Sequence, residues 1–235
     1  MMEVINCLIR RIYQIQDAID DFIAEHISPK KYNEYLGIVK FNRILNNSAR
    51  SEYLSIIEQM NNYVPRMMSR KIPEANVQQA FVLDTVFKFI KNKSKPKILC
   101  VGSFDDTAAA CLKKMGYCIE EIDPVLNYDL ETYFNLPTTH KSSFDVIFST
   151  SVIEHVPDDE KFISQIAELL APGGIGILTF DYNNEYKPGD KLPQTNLRFY
   201  TKKDIIERLF PCAIGCILVD YPQWDDSIPD FMALR

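Results

Sequence analysis

Apolar residues in the first third of the chain recur at helical steps. Ile5, Leu8, Ile9, Ile12, Ile15, Ile19, Phe22 and Ile23 fall on one side of a predicted helix over residues 1–27, with Arg10, Arg11, Gln14, Asp17 and Asp21 opposite. Such a stripe needs a surface to cover it, and Ser28–Pro29 ends the helix. A second helical stretch is expected over much of residues 31–63, with a break at Asn46–Asn47–Ser48. Pro65 and Pro73 then bracket a connection. A third helix is expected from Pro73 to Ile90, with Val77, Ala80, Leu83, Phe87 and Ile90 as its buried stripe. Asp84 and Lys88 are expected to pair on its outer face.

The texture changes after Pro96. Short apolar runs at 97–101, 117–122, 144–149, 175–180 and 213–219 predict buried strands, and FMALR at 231–235 predicts a last one. Helical stretches at 107–115, 159–170 and 202–210 alternate with them, the first closed by Gly116 and the second stopped by Pro172–Gly173–Gly174. This alternation predicts an α/β fold with a mostly parallel sheet. The chain divides into a helical N-terminal segment, residues 1–95, and an α/β domain, residues 96–235.

Composition narrows the function. The chain has 235 residues, 46% hydrophobic and 25% charged, with a formal net charge of -6. An acidic chain lacks the clustered cations that hold a phosphate backbone, so no nucleic-acid partner is expected. No stretch has the roughly 18 uncharged apolar residues of a membrane span. The N-terminus lacks a signal-peptide layout, so a cytoplasmic protein is expected. The six cysteines form no CxxC pair; Cys100 in a strand and Cys111 in a helix read as small apolar fillers in a reducing compartment. With that spacing and three histidines, no metal site is expected.

Ligands of an open parallel sheet bind beyond the carboxyl ends of its strands. After the first strand comes Gly102–Ser103–Phe104–Asp105–Asp106, where a single glycine lets the backbone turn and approach a ligand. Two aspartates there would repel a pyrophosphate, which argues against NAD and ATP. Asp123–Pro124 ends the second strand about 20 residues on, the spacing at which an acid meets ribose hydroxyls. Asp129 and Leu130 could meet an adenine ring, or Asp129 could simply cap a helix. Ser149, Thr150 and Ser151 close the third strand and face the same side. Tyr182, Asn183 and Tyr186 follow the fourth, and Arg198 and Tyr200 follow a long polar loop.

The run KILCVG, EIDP, FDVIFSTSVIEHVPDDEKFISQIAELLAPGGIGILTF and LRFYTKKDIIERLF, over about residues 96–235, resembles the class I methyltransferases, in particular the methyltransferase type 11 group. The resemblance implies a Rossmann-like sheet with helices on both faces, here preceded by the α-helical segment, and S-adenosylmethionine as cofactor, leaving S-adenosylhomocysteine. It implies that Gly102, Ser103 and Phe104 carry the first loop, that Asp123 and Pro124 lie at the ribose and Asp129 and Leu130 at the adenine. Ser149 and Thr150 would lie along the adenosyl-methionine side. Phe104 and Asp106 stand where the group has its second and third glycines, and Cys100 where it has an acid. His155 is the candidate general base, against a role in orienting its loop. A related subgroup resembles a divalent-metal site here, but Ser151 replaces a further acid, so none is expected.

Tyr182, Asn183, Tyr186, Arg198 and Tyr200 are the candidate acceptor residues, with Tyr32, Tyr35, Asn42 and Arg43 as a lid or a dimer interface. The expected activity is O-methylation of a polar small molecule such as a sugar or nucleotide-sugar. The alternatives are a small-molecule N-methyltransferase and a non-catalytic scaffold, with a homodimer formed through the N-terminal helices.

Overall fold

The computed structural model describes residues 31–193 and 195–224, together with Ile15 and Ile19. The amphipathic stretch at 1–27 and the FMALR strand therefore lie outside the described residues. The described helices are α1 (Asn47–Glu52), α2 (Leu54–Tyr63), α3 (Pro65–Arg70), α4 (Pro73–Ile90), α5 (Thr107–Lys114), α6 (Leu130–Phe134), α7 (Asp159–Leu169) and α8 (Phe210–Cys212). The strands are β1 (Ile98–Val101), β2 (Glu120–Ile122), β3 (Phe144–Thr150) and β4 (Leu170–Thr179). The four strands form one parallel sheet in the order β2-β1-β3-β4.

Strand periodicity explains the layering. Successive side chains of a strand point to opposite faces. Ile98, Cys100, Val146 and Phe148 join a core with α2, α4 and α5, whereas Leu99, Val101 and Ile147 join a second core with α6, α7 and Leu209. Both faces are covered by helices, and this is why β1 reads as an uninterrupted apolar run. The helix α4 packs directly on β3 and α5, so the first core crosses residue 95 without a break.

Several expectations need correction. Residues 31–45 are not helical; Asn46 instead starts α1 as an N-cap, its Oδ1 accepting the Ala49 N–H at 3.2 Å. The connection between Pro65 and Pro73 contains α3, with Pro65 in its first turn. Asp84 and Lys88 do pair, but not on an outer face. Asp84 is fully buried, and its Oδ1 accepts the Tyr32 hydroxyl and the Tyr35 N–H, each at 2.9 Å. The 31–35 segment covers this pair and is pinned to α4 by it.

Pro172–Gly173–Gly174 does not separate helix from strand. Pairing jumps from Phe144↔Leu170 to Val146↔Ile175, so 171–174 bulges out within β4. A Cβ on Gly174 would lie 2.6 Å from the Phe144 carbonyl oxygen, so only glycine permits this approach. Residues 117–119 stay outside the β2 ladder. Residues 202–210 form a π-helical turn at Asp204–Leu209 that runs into α8. The 213–219 stretch is not a strand: Gly215 takes φ 80, and Ile214 and Ile217 are 83% and 88% exposed. Its composition favours a strand, but among the described residues no neighbour forms a strand ladder with it.

Candidate functional site

The carboxyl ends of β1, β2 and β3 lie side by side, because Val101 is opposite Ile122 and Cys100 is opposite Phe148. Their first loop is tightly built. Gly102 has φ 81, and its N–H donates to the Ile122 carbonyl at 2.8 Å. A Cβ there would lie 2.2 Å from Val152 Cγ2, on the loop after β3. Gly102→Ala is therefore expected to destabilise the protein by about 1–3 kcal/mol, through the left-handed backbone and the clash together. Urea unfolding checks this: a Val152→Ala background should recover the clash but not the backbone part.

Asp105 and Asp106 are not free to repel a ligand, which corrects the expectation drawn from their charge. Asp105 pairs with Arg70 at 2.5 Å and with Lys71 at 3.2 Å. Asp106 is buried and caps α5, its Oδ1 accepting the Ala109 N–H at 2.8 Å. Burial raises its pKa, opposed by the Ala109 N–H and the Gln79 amide. Two adjacent residues of α4 brace this end of the sheet. Gln79 donates to Asp106 Oδ2 at 3.1 Å and accepts the Ala108 N–H at 2.8 Å, while Gln78 accepts the Ser151 hydroxyl at 2.8 Å. Sequence reasoning missed both; the signal was a polar pair between Val77 and Ala80 on an otherwise apolar stripe.

Asp123 is buried at the end of β2. Its Oδ2 accepts the Phe104 N–H at 3.2 Å and its Oδ1 the Val125 N–H at 2.7 Å. Each carboxylate oxygen can accept a further bond. Pro124 is exposed and Phe104 half-buried. The hydroxyls of Ser103 and Ser149 are buried without a hydrogen-bond partner, while the Thr150 hydroxyl is near enough to the Asp106 carboxylate to favour its charge. Buried polar atoms are nearly always paired, so a pair of orphans at adjoining strand ends marks a place for a polar ligand. Asp129 caps α6 through the Thr132 N–H at 2.7 Å, which with the Thr132 hydroxyl holds its pKa low, and Leu130 is buried in the second core.

A cavity of about 1380 Å³ runs along β4, from Ser142 and Leu170–Gly174 at one end to Thr179–Tyr182 at the other, and none of Gly102, Ser103, Phe104, Asp123, Ser149 and Thr150 lines it. Its wall includes Ser151, Glu154 and His155 after β3, Thr179 to Tyr182 at the end of β4, and Gln78 of α4. Asn42 and Arg43 also line it, clasped to residues 220–223: the N–H groups of Phe41 and Asn42 donate to the Asp220 carboxylate at 2.8 and 2.9 Å. Tyr32 and Tyr35 instead sit at Asp84, away from this wall. Ser151 holds φ 51 and Asp105 φ 60, conformations that cost energy and gather at functional loops.

Of the expected acceptor residues, Tyr182 lines the cavity, and Asn183, Tyr186, Arg198 and Tyr200 do not. Arg198 pairs with Asp159 at 2.7 Å. The fully buried Tyr200 hydroxyl lies 3.0 Å from both Asp159 Oδ2 and the Ile153 carbonyl oxygen. Asn183 closes its own turn by accepting the Glu185 N–H at 3.0 Å. His155 is exposed at the cavity wall, its Nδ1 2.9 Å from the Thr195 carbonyl oxygen. With the proton on Nδ1, that contact leaves Nε2 as an acceptor.

Residues 103–178 match a family model described as a methyltransferase domain. That match spans α5, β2, α6, β3, α7 and most of β4, so the likeness to a methyltransferase domain falls on the sheet and the loops at its ends. Norajmaline N-methyltransferase of Rauvolfia serpentina is 28% identical over 111 residues, covering 46% of this chain. The chain spans only about a third, 36%, of that relative's length. Among solved structures, the CurJ carbon methyltransferase covers 58% of this chain and 49% of its own, at 16% identity and TM-score 0.42. The [4+2]-cyclase SpnF covers 66% of this chain and 70% of its own, at 16% identity and TM-score 0.43. Among the described residues, no group of three or more His, Cys, Asp or Glu side chains could hold a metal ion. No described helix is long and apolar enough to cross a membrane.

Proposed function

We propose that the chain transfers a methyl group from S-adenosylmethionine to an apolar-bodied small molecule, leaving S-adenosylhomocysteine. The observation that carries this reading is the pair of orphaned buried hydroxyls on Ser103 and Ser149, at the carboxyl end of the same sheet as the Asp123 carboxylate. These groups fit a nucleoside cofactor: Asp123 would hold the ribose, with Ser103 and the Gly102 backbone on the methionine side and Ser149 and Thr150 along the adenosyl group. The cofactor supplies an electrophilic methyl group. The chain's own task is to orient both ligands and exclude water, effects that can supply much of the acceleration. His155, exposed at the cavity wall with its Nδ1 2.9 Å from the Thr195 carbonyl oxygen, is the candidate base should the acceptor atom be a hydroxyl oxygen.

The acceptor reading shifts from a sugar towards an apolar body. The cavity is walled by Phe81, Phe89, Phe180, Tyr182 and Trp224 with aliphatic neighbours, while most of the polar residues first assigned to the acceptor face elsewhere. Calorimetric titration with S-adenosylmethionine and S-adenosylhomocysteine tests the cofactor. Binding in the micromolar range is expected, weakened roughly tenfold or more by Asp123→Ala and less by Asp123→Asn. A folded protein that binds neither ligand would overturn the enzyme reading in favour of a scaffold.

A further inference from the structure

Glu154 is in the single helical turn Ile153–His155 that follows β3, in the cavity wall. It is fully buried, and neither carboxyl oxygen has a hydrogen-bond partner. The nearest candidates are otherwise engaged or poorly aimed. The Ser151 hydroxyl donates to Gln78, and the backbone N–H groups of Glu154 and Asp181 favour the charge without completing a bond. Among the described residues, no lysine or arginine is paired with it.

A buried carboxyl without donors carries a desolvation penalty that a ligand can relieve. The ligand must donate. A carbonyl or ether has nothing to give, and a hydroxyl gives one hydrogen without balancing charge. An ammonium gives three donors and the opposite charge. Asp181, also in the cavity wall, adds a second negative charge to the same region. The rest of the wall mixes polar groups, among them Asn42, Arg43, Glu74 and Gln78, with the rings of Phe180, Tyr182 and Trp224, and those rings suit the body of an aryl-alkyl amine and cation–π contact.

We propose that Glu154 anchors the methyl acceptor, its carboxylate receiving the amino group of an aryl-alkyl amine and taking the proton that the nitrogen must lose before methylation. The ammonium transfers that proton to the carboxylate, which becomes a carboxylic acid. The freed nitrogen lone pair forms the new nitrogen–carbon bond as the carbon–sulfur bond breaks, with the electron pair of that bond left on sulfur. The product is the N-methylammonium. This inference rests on the methyltransferase reading, and binding separates the two.

The test is calorimetric titration of the full chain, with and without S-adenosylhomocysteine, using tryptamine and phenethylamine, each against its alcohol, tryptophol and 2-phenylethanol. At least one amine is expected to bind roughly tenfold or more tighter than its alcohol. Glu154→Gln should reduce that preference to within about threefold while leaving S-adenosylhomocysteine affinity unchanged. Equal binding of amine and alcohol, no binding of any of the four, or a preference that survives in Glu154→Gln would overturn the inference. Failure of S-adenosylhomocysteine to bind would instead strike the methyltransferase reading, with the amine preference still measurable without it.

Discussion

Asp159→Ala is expected to lower the unfolding free energy by about 2–4 kcal/mol, between the values typical of exposed and fully buried ion pairs. Asp159 is buried at the start of α7, where a negative charge also suits the helix dipole. Its Oδ1 takes Arg208 at 2.7 Å, and its Oδ2 takes Arg208 at 3.0 Å and Arg198 at 2.7 Å, with the Tyr200 hydroxyl at 3.0 Å. This one carboxylate ties together α7, the strand-like 198–200 stretch and the π-helical turn. Removing it leaves Arg208 with only its longer contacts to Glu160 and Asp204 at 3.4 and 3.5 Å, Arg198 with the Pro157 carbonyl, and the buried Tyr200 phenol with the Ile153 carbonyl. Burial pushes the Asp159 pKa up, but the Arg208 and Arg198 hydrogen bonds outweigh that and hold it below the usual carboxylate range. A depressed folded pKa contributes stability above the unfolded value, and that contribution is lost as pH falls through the folded one. The deficit of the variant should therefore be full at pH 7 and shrink in acid. Urea unfolding across that range decides it; a loss below about 0.5 kcal/mol at pH 7 would show the network to be ordinary surface pairing.

What the sequence disclosed follows from where the constraints are local. The strands β1 and β3 were legible because both faces are buried, leaving no polar alternation to confuse the reading. The helix α4 was legible from its stripe and its Pro73 start. Residues 31–45 were not, because their conformation is set by partners far along the chain: Asp84 for Tyr35, and Asp220 for Phe41 and Asn42. The run at 213–219 has strand composition, yet a strand exists only where a neighbour pairs with it. The places of Asp123 just after β2 and of Ser149 and Thr150 at the end of β3 were legible from the strand pattern. The neutralisation of Asp105 by Arg70 and Lys71 was not, since charge alone does not reveal a partner supplied by α3 and the residue after it. Arg198 and Tyr200 looked like pocket residues for the complementary reason: polarity in a loop does not say which carboxylate it faces.

The Glu154 carboxyl offers the sharpest separation of stability from function. Burial first, and then the like charge of Asp181, push its pKa up from 4.5 to about 8. The other neighbours are Ser151, which donates elsewhere, the adjacent His155, and Tyr200, whose ionisation the same charge opposes. For an acid with a raised folded pKa, the native state holds the proton more tightly than the unfolded state. Its penalty is absent below about 4.5, grows as pH rises towards about 8, and is constant above that. Glu154→Gln keeps the shape and removes the ionisation, so near pH 4.5 the two proteins should unfold alike. At pH 8 and above the variant should be the more stable by on the order of a few kcal/mol, raising Tm by roughly 5–10 °C for a chain of this size. Thermal unfolding at both pH values measures it, and a Tm difference that does not change with pH would show that the carboxyl is not buried as described. A carboxyl that destabilises the folded protein as pH rises, and whose neutral isostere would relieve that, fits the ligand-anchoring role proposed for it. The same substitution should therefore raise stability and erase the amine preference together.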